Sequence, residues 1–131
     1  VRVALIDAGA YTPPYDHRLA AALAARGHEV TLLTAPFRFG EAPEPAGYRR
    51  EELFFPVGSV LFRRSPRSRA RLALKAVEYG PTMWRVRRRL ERLAPDVIHV
   101  EWLVRPETDL RWLRAVGAER PVVFTAHDLA G

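Results

Sequence analysis

VRVALIDAGAYTPPYDHRLAAALAARGHEVTLLT, residues Val1–Thr34, holds the pattern on which the fold turns. Val1–Asp7 is an apolar run that closes on an acid and then on small residues, as expected of a strand buried on both faces in a parallel sheet. A Gly/Pro/Tyr loop, Ala8–Tyr15, follows. Asp16 then stands where an N-cap is expected, its carboxylate able to accept from the orphan N–H groups of a first helical turn. Over His17–Arg26, Leu19, Ala20, Leu23 and Ala24 recur on one helical face, and Gly27 supplies the left-handed residue that ends such a helix. His28–Thr34 reads as a second strand. Strand, helix and strand within this one stretch make a βαβ unit, whose crossover is right-handed.

Outward from that unit, Ala35–Arg50 carries Pro36, Gly40, Pro43, Pro45 and Gly47 and reads as a long surface loop. Leu53–Leu61 is expected to contain a short third strand. Arg63–Arg92 reads as two helices divided at Gly80–Pro81, because proline suits the first turn of a new helix and not the middle of an old one. In the second of these, Met83, Val86, Leu90 and Leu93 recur at helical spacing. After Ala94–Pro95, Asp96–Trp102 (DVIHVEW) is a fourth strand. A short helix is expected after Pro106, with Glu107 and Asp109 in the first turn where the helix dipole favours anions. Pro121–Ala126 (PVVFTA) is a fifth strand. This alternation predicts one α/β domain over residues 1–131, a mostly parallel sheet covered by helices. HDLAG (His127–Gly131) follows the last strand with no covering helix, so the domain is expected to be incomplete.

A chain 48% hydrophobic and 27% charged has the composition of a soluble globular protein. The absence of cysteine removes disulfides, thiolate zinc sites and cysteine nucleophiles, and is compatible with a reducing cytoplasm. No apolar run approaches the roughly 20 residues that span a bilayer. Four scattered histidines without a His-x-x-x-His pair predict no metal site. Charge is unevenly placed. Arg63–Arg92 holds eleven basic residues against Glu78 and Glu91, while the rest of the chain has thirteen acids against ten bases. Arg85, Arg87, Arg88, Arg89 and Arg92 fill the helix faces that the apolar residues leave. Such a patch suits an anionic membrane surface, worth about 1 kcal/mol per residue near the headgroups. Nucleic acid is not expected as a partner, since there is no helix-turn-helix or RNA-binding signature. The expected location is cytoplasmic, peripheral on the inner membrane face.

In an open α/β sheet the binding crevice lies outside the carboxyl ends of the strands, where the strand order reverses. With the order 3-2-1-4-5 the reversal falls between the first and fourth strands. The loops Ala8–Asp16 and Glu101–Pro106 meet there, beside His127–Asp128. Topology alone therefore gathers Gly9, Tyr11, Thr12, Glu101, Trp102, His127 and Asp128 on one rim. His99, in mid-strand, reads as a satisfied core histidine, and His28, after the helix stop, is given no role.

LAAALAARGHEVTLLT (Leu19–Thr34), APDVIHVEW (Ala94–Trp102) and RPVVFTAHD (Arg120–Asp128) together resemble the N-terminal domain of glycosyltransferase family 4. The three segments stand in the family's order and span almost the whole chain. The resemblance implies a Rossmann-like three-layer sandwich, the N-terminal half of a GT-B fold, in which two such domains face each other across a cleft. It implies that this half holds the acceptor, a sugar or a lipid-linked one. A C-terminal half, not among these residues, would bind the nucleotide-sugar donor, so this chain alone is not expected to catalyse transfer. The reaction is implied to be retaining, metal-independent and free of cofactors. His127 matches the family histidine that contacts the transferred sugar. Gly9 and its neighbours match the loop whose backbone N–H groups approach the donor diphosphate. Many members carry a Gly-Gly pair in that loop where this chain has DAGAYTPPYD (Asp7–Asp16), and an acceptor-facing role for Tyr11 or Tyr15 is the equal alternative.

Two other readings remain open. A dinucleotide-binding domain of another enzyme class needs three glycines after the first strand, where this chain has Gly9 alone. A non-catalytic module could dock on membranes or partners through Arg63–Arg92.

Overall fold

The computed structural model describes residues 1–8, 10–36, 42–54, 69–102, 111 and 120–125, and only the backbone of 69–76, 78, 79 and 102. The elements are β1 (Arg2–Asp7), α1 (Pro13–Ala25), β2 (Glu29–Thr34), β3 (Arg49–Glu52), α2 (Arg69–Leu93), β4 (Val97–Trp102) and β5 (Val122–Phe124). The strands form one sheet in the order β3-β2-β1-β4-β5, and every adjacent pair is parallel. The expected α/β architecture and strand order hold. Leu53–Leu61 is described only as far as Phe54, and the helix expected after Pro106 lies outside the described residues apart from Arg111.

Alternation along the strands sorts the core into two layers. Ala4, Ile6, Leu33, Ile98 and Val100 face α2 and pack with Val86 and Leu90. Leu5, Val30 and Leu32 face the other way, with Ala20 of α1 and Tyr48. A sheet covered on both sides explains why β1 and β2 read as unbroken apolar runs. Burying each of Val86 and Leu90 contributes about 2 kcal/mol.

Three local expectations are corrected. The third strand is Arg49–Glu52, ahead of Leu53–Leu61 and overlapping the end of the segment read as loop, Ala35–Arg50. Its sequence, RREE, has no apolar signal because it lies at the sheet edge and is held by charge. Arg50 pairs with Glu52 at 2.9 Å, and Glu51 takes both Arg89 Nε and Nη2 at 2.7 Å.

The basic segment contains one helix running through Gly80–Pro81, not two divided there. Proline strips one backbone hydrogen bond from a helix and crowds the preceding residue away from helical dihedrals. Glycine at that preceding position brings no Cβ to the clash, and fully buried Thr82 and Val86 hold the turn that follows onto the sheet.

Finally, α1 begins at Pro13, with Thr12 at the N-cap, so Asp16 is no cap. Pro13 and Pro14 occupy the first turn, where the missing N–H groups cost nothing. Gly27, at φ +90°, ends the helix as expected.

Candidate functional site

The reversal of strand order lies between β1 and β4, so the crevice edge is built by the carboxyl ends of these two strands. Asp7 ends β1 with no exposed surface. Its carboxylate accepts the backbone N–H of Tyr11 through Oδ1 and of Thr12 through Oδ2, both at 3.1 Å, while its carbonyl takes the Ala10 N–H at 3.2 Å. Three successive amides of the loop thus close on one residue. Ala10 is left in the left-handed region at φ +50°, a strain of about 1 kcal/mol that these bonds hold in place. The amides of Tyr11 and Thr12, candidates for a diphosphate contact, are already satisfied from within.

Asp16 comes up from the first turn of α1 beneath this loop, 1% exposed. Burial, a side-chain hydrogen bond with Asp7 and the repulsion of Asp7 and Glu101 push its carboxyl up to about 9, against the opposing hydroxyl of Thr12. At neutral pH Asp16 is therefore a neutral acid that donates to Asp7. Sequence reading took it for the N-cap of the helix, a place that Thr12 holds instead.

On β4 the pairing passes from Ile6–Val100 to Asp7–Trp102 and skips Glu101, a bulge of the sort that re-aims a side chain. Glu101 is fully buried. Its Oε1 lies 2.8 Å from His99 Nε2 and accepts from Thr125 Oγ1 at 3.4 Å, and His99 also meets Thr125. His99 is thus a bonded core histidine, as its mid-strand place suggested. The network ties β4 to Thr125, two residues ahead of His127.

Tyr11 and Tyr15 are each 44% exposed and border the same edge, with Thr12 half-buried between them. Trp102 ends β4 opposite Asp7. Gly9, His127 and Asp128 lie outside the described residues. In the basic patch, Arg85, Arg87, Arg88 and Arg92 are exposed, whereas Arg89 is half-buried in its double bond to Glu51. Sequence reading missed Asp7, whose place at the end of a buried strand before a tight loop was the available signal. Among the described residues no group of His, Asp and Glu is arranged to hold a metal ion, and no helix is long and apolar enough to cross a membrane.

The model of the family Glycosyltransferase Family 4 matches residues 15–131. No curated protein matches the chain.

Proposed function

The chain belongs to glycosyltransferase family 4, and we propose that it is the acceptor-binding half of a nucleotide-sugar-dependent, retaining and metal-independent enzyme. The observation that carries this reading is the crevice edge at the β1/β4 reversal, where Asp7 bonds the amides of the loop after β1 and the half-exposed Tyr11 of that loop stands beside the half-exposed Tyr15 of α1. With the Tyr11 and Thr12 amides closed on Asp7, the loop is suited to an acceptor more than to a donor diphosphate. Tyr11 and Tyr15 offer aromatic surface to a sugar ring, with Thr12, whose hydroxyl donates to Asp16, between them. Glu101 acts below the edge, positioning the end of β5 from which His127 follows. His127 is assigned the contact to the transferred sugar, with Asp128, Trp102 and Gly9 around it. A second Rossmann-like domain would hold the donor, so residues 1–131 alone are expected to be inactive.

The test uses the full-length protein with a panel of nucleotide-sugars and sugar or lipid-linked acceptors, with and without EDTA. Transfer that survives EDTA and falls about 100-fold or more in His127→Ala is expected. Transfer with unchanged rate in His127→Ala removes the assignment, and failure with every donor counts against the whole reading.

One observation favours a second, compatible reading, attachment to an anionic membrane. Val77, Trp84 and Arg88 share a face of α2 by their spacing; Val77 and Trp84 are 72% and 61% exposed, and the Arg88 guanidinium lies 5.2 Å from the Trp84 ring centre. Apolar and aromatic groups beside cations suit the headgroup zone. Sedimentation with anionic vesicles should exceed that with neutral ones, weaken as salt rises, and fall in Trp84→Ala/Arg88→Ala. Equal sedimentation with both lipids ends this reading.

A further inference from the structure

On the α2 face of the sheet the paired residues run in rows. Val100, Ile6, Leu33 and Glu51 form one row, and Ile98, Ala4, Thr31 and Arg49 the next one toward the amino ends of the strands. The first is filled by branched side chains that meet Val86 and Leu90. The second has the shorter side chains of Ala4 and Thr31 at its centre, beneath the last turns of α2. The shortfall leaves a basin of about 380 Å³, lined by Ala4, Thr31, Arg2, Arg49, Arg89 and Arg92 among others. That volume falls in the range of small-molecule sites.

Two of the four arginines are neutralised. Arg2 pairs with Glu29 at 3.1 Å and Arg89 with Glu51 at 2.7 Å. Arg49 and Arg92 have no ion pair or hydrogen bond among the described residues, and Glu29 is the one acid of the described lining. Two uncompensated guanidinium groups thus border one concave space, one from the sheet edge and one from the helix. The C-terminal carbonyls of α2 oppose an anion there, but their effect is about half a charge against two.

We propose that this basin binds a phosphate monoester, gripped between Arg49 and Arg92. A guanidinium fork matches phosphate oxygens in pairs. The site lies at the amino ends of the strands, opposite the crevice edge, and so is separate from the proposed acceptor position.

Titration calorimetry on the full-length protein tests it with glucose 6-phosphate, inorganic phosphate, and glucose as the uncharged control. Vesicles with and without phosphatidic acid test a lipid headgroup as the source of the phosphate. Arg49→Ala/Arg92→Ala is compared with Arg18→Ala/Arg26→Ala, which removes equal charge from exposed positions of α1 and its end, outside the basin and the basic patch. Binding of a phosphate probe, soluble or lipid, that weakens about tenfold or more in the first variant and stays unchanged in the second is the expected result. A probe that binds both variants alike, whether at full or at equally reduced affinity, overturns the proposal. So does a protein that binds no phosphate probe at millimolar concentration, or glucose as well as its phosphate.

Discussion

At the carboxyl end of the sheet Asp7, Asp16 and Glu101 are all buried, and each is hydrogen-bonded. At the amino end and along α2, Arg2, Arg49, Arg85, Arg87, Arg88 and Arg92 are exposed, and Arg49 and Arg92 stand apart from any acid among the described residues. The same kind of group, a full charge, therefore has opposite consequences in the two regions. Where water is excluded, charge must be bonded or neutralised, and the bonds shape the backbone. Where water is present, charge costs little, shapes little and is left available to something outside. The first region fixes geometry; the second offers a field.

The largest expected effect lies in the buried region. Asp7→Ala leaves two loop amides and the Asp16 carboxyl without an acceptor and should cost about 3 kcal/mol in urea unfolding. A cost below about 1 kcal/mol would erase the contrast, because it would mean that the loop does not depend on its buried acid.

Next comes the pH response of Asp16. Its folded value near 9 stands above the unfolded 3.8, so the folded state binds the proton more tightly. The stability linked to that proton is complete below pH 3.8 and drains away as pH rises towards 9, by up to about 1 kcal/mol per pH unit. Asp16→Asn keeps a donor for Asp7 without a titrating proton. Its stability relative to the wild-type chain should therefore improve steadily from pH 5 to pH 8. Parallel stability curves over that range would show Asp16 to be ionised in the fold.

The smallest effects mark the boundary between the regions. Glu51→Gln breaks the half-buried double bond to Arg89 and should cost about 1 kcal/mol, while Arg87→Ala, which removes a water-exposed partner of Glu91 at 3.9 Å, should cost less than about 0.5 kcal/mol. Thermal unfolding of the pair sharpens the comparison. Equal losses would mean that burial is not what separates strong from weak pairs here.

Much of the sheet was legible in the residues because its signals are local. VRVALID, HEVTLLT and DVIHVEW announce buried strands by their own composition, PVVF announces a strand although Val123 and Phe124 are exposed, and Gly27 stops α1 by its backbone freedom alone. β3 was not legible. RREE owes its place to pairing with β2 and to Arg89, thirty-eight residues away from Glu51. The continuity of α2 was also hidden, since Pro81 is a break signal locally and the sheet beneath Thr82 and Val86 overrides it. On the crevice edge, the strand order located the loops, and the amides of Tyr11 and Thr12 close on the neighbouring Asp7, a local signal that went unread.

What the chain of residues determined by itself is therefore the strand set apart from β3, the parallel alternation and the strand order. These follow from apolar periodicity and glycine placement, which act over a few residues. Only the tertiary structure decided that Asp16 is a buried acid rather than a helix cap and that Glu101 sits in a bulge facing His99. It alone left room beneath α2 between two unpaired arginines. Each of these depends on which groups lose water together, a property of the packed layers and not of any one segment.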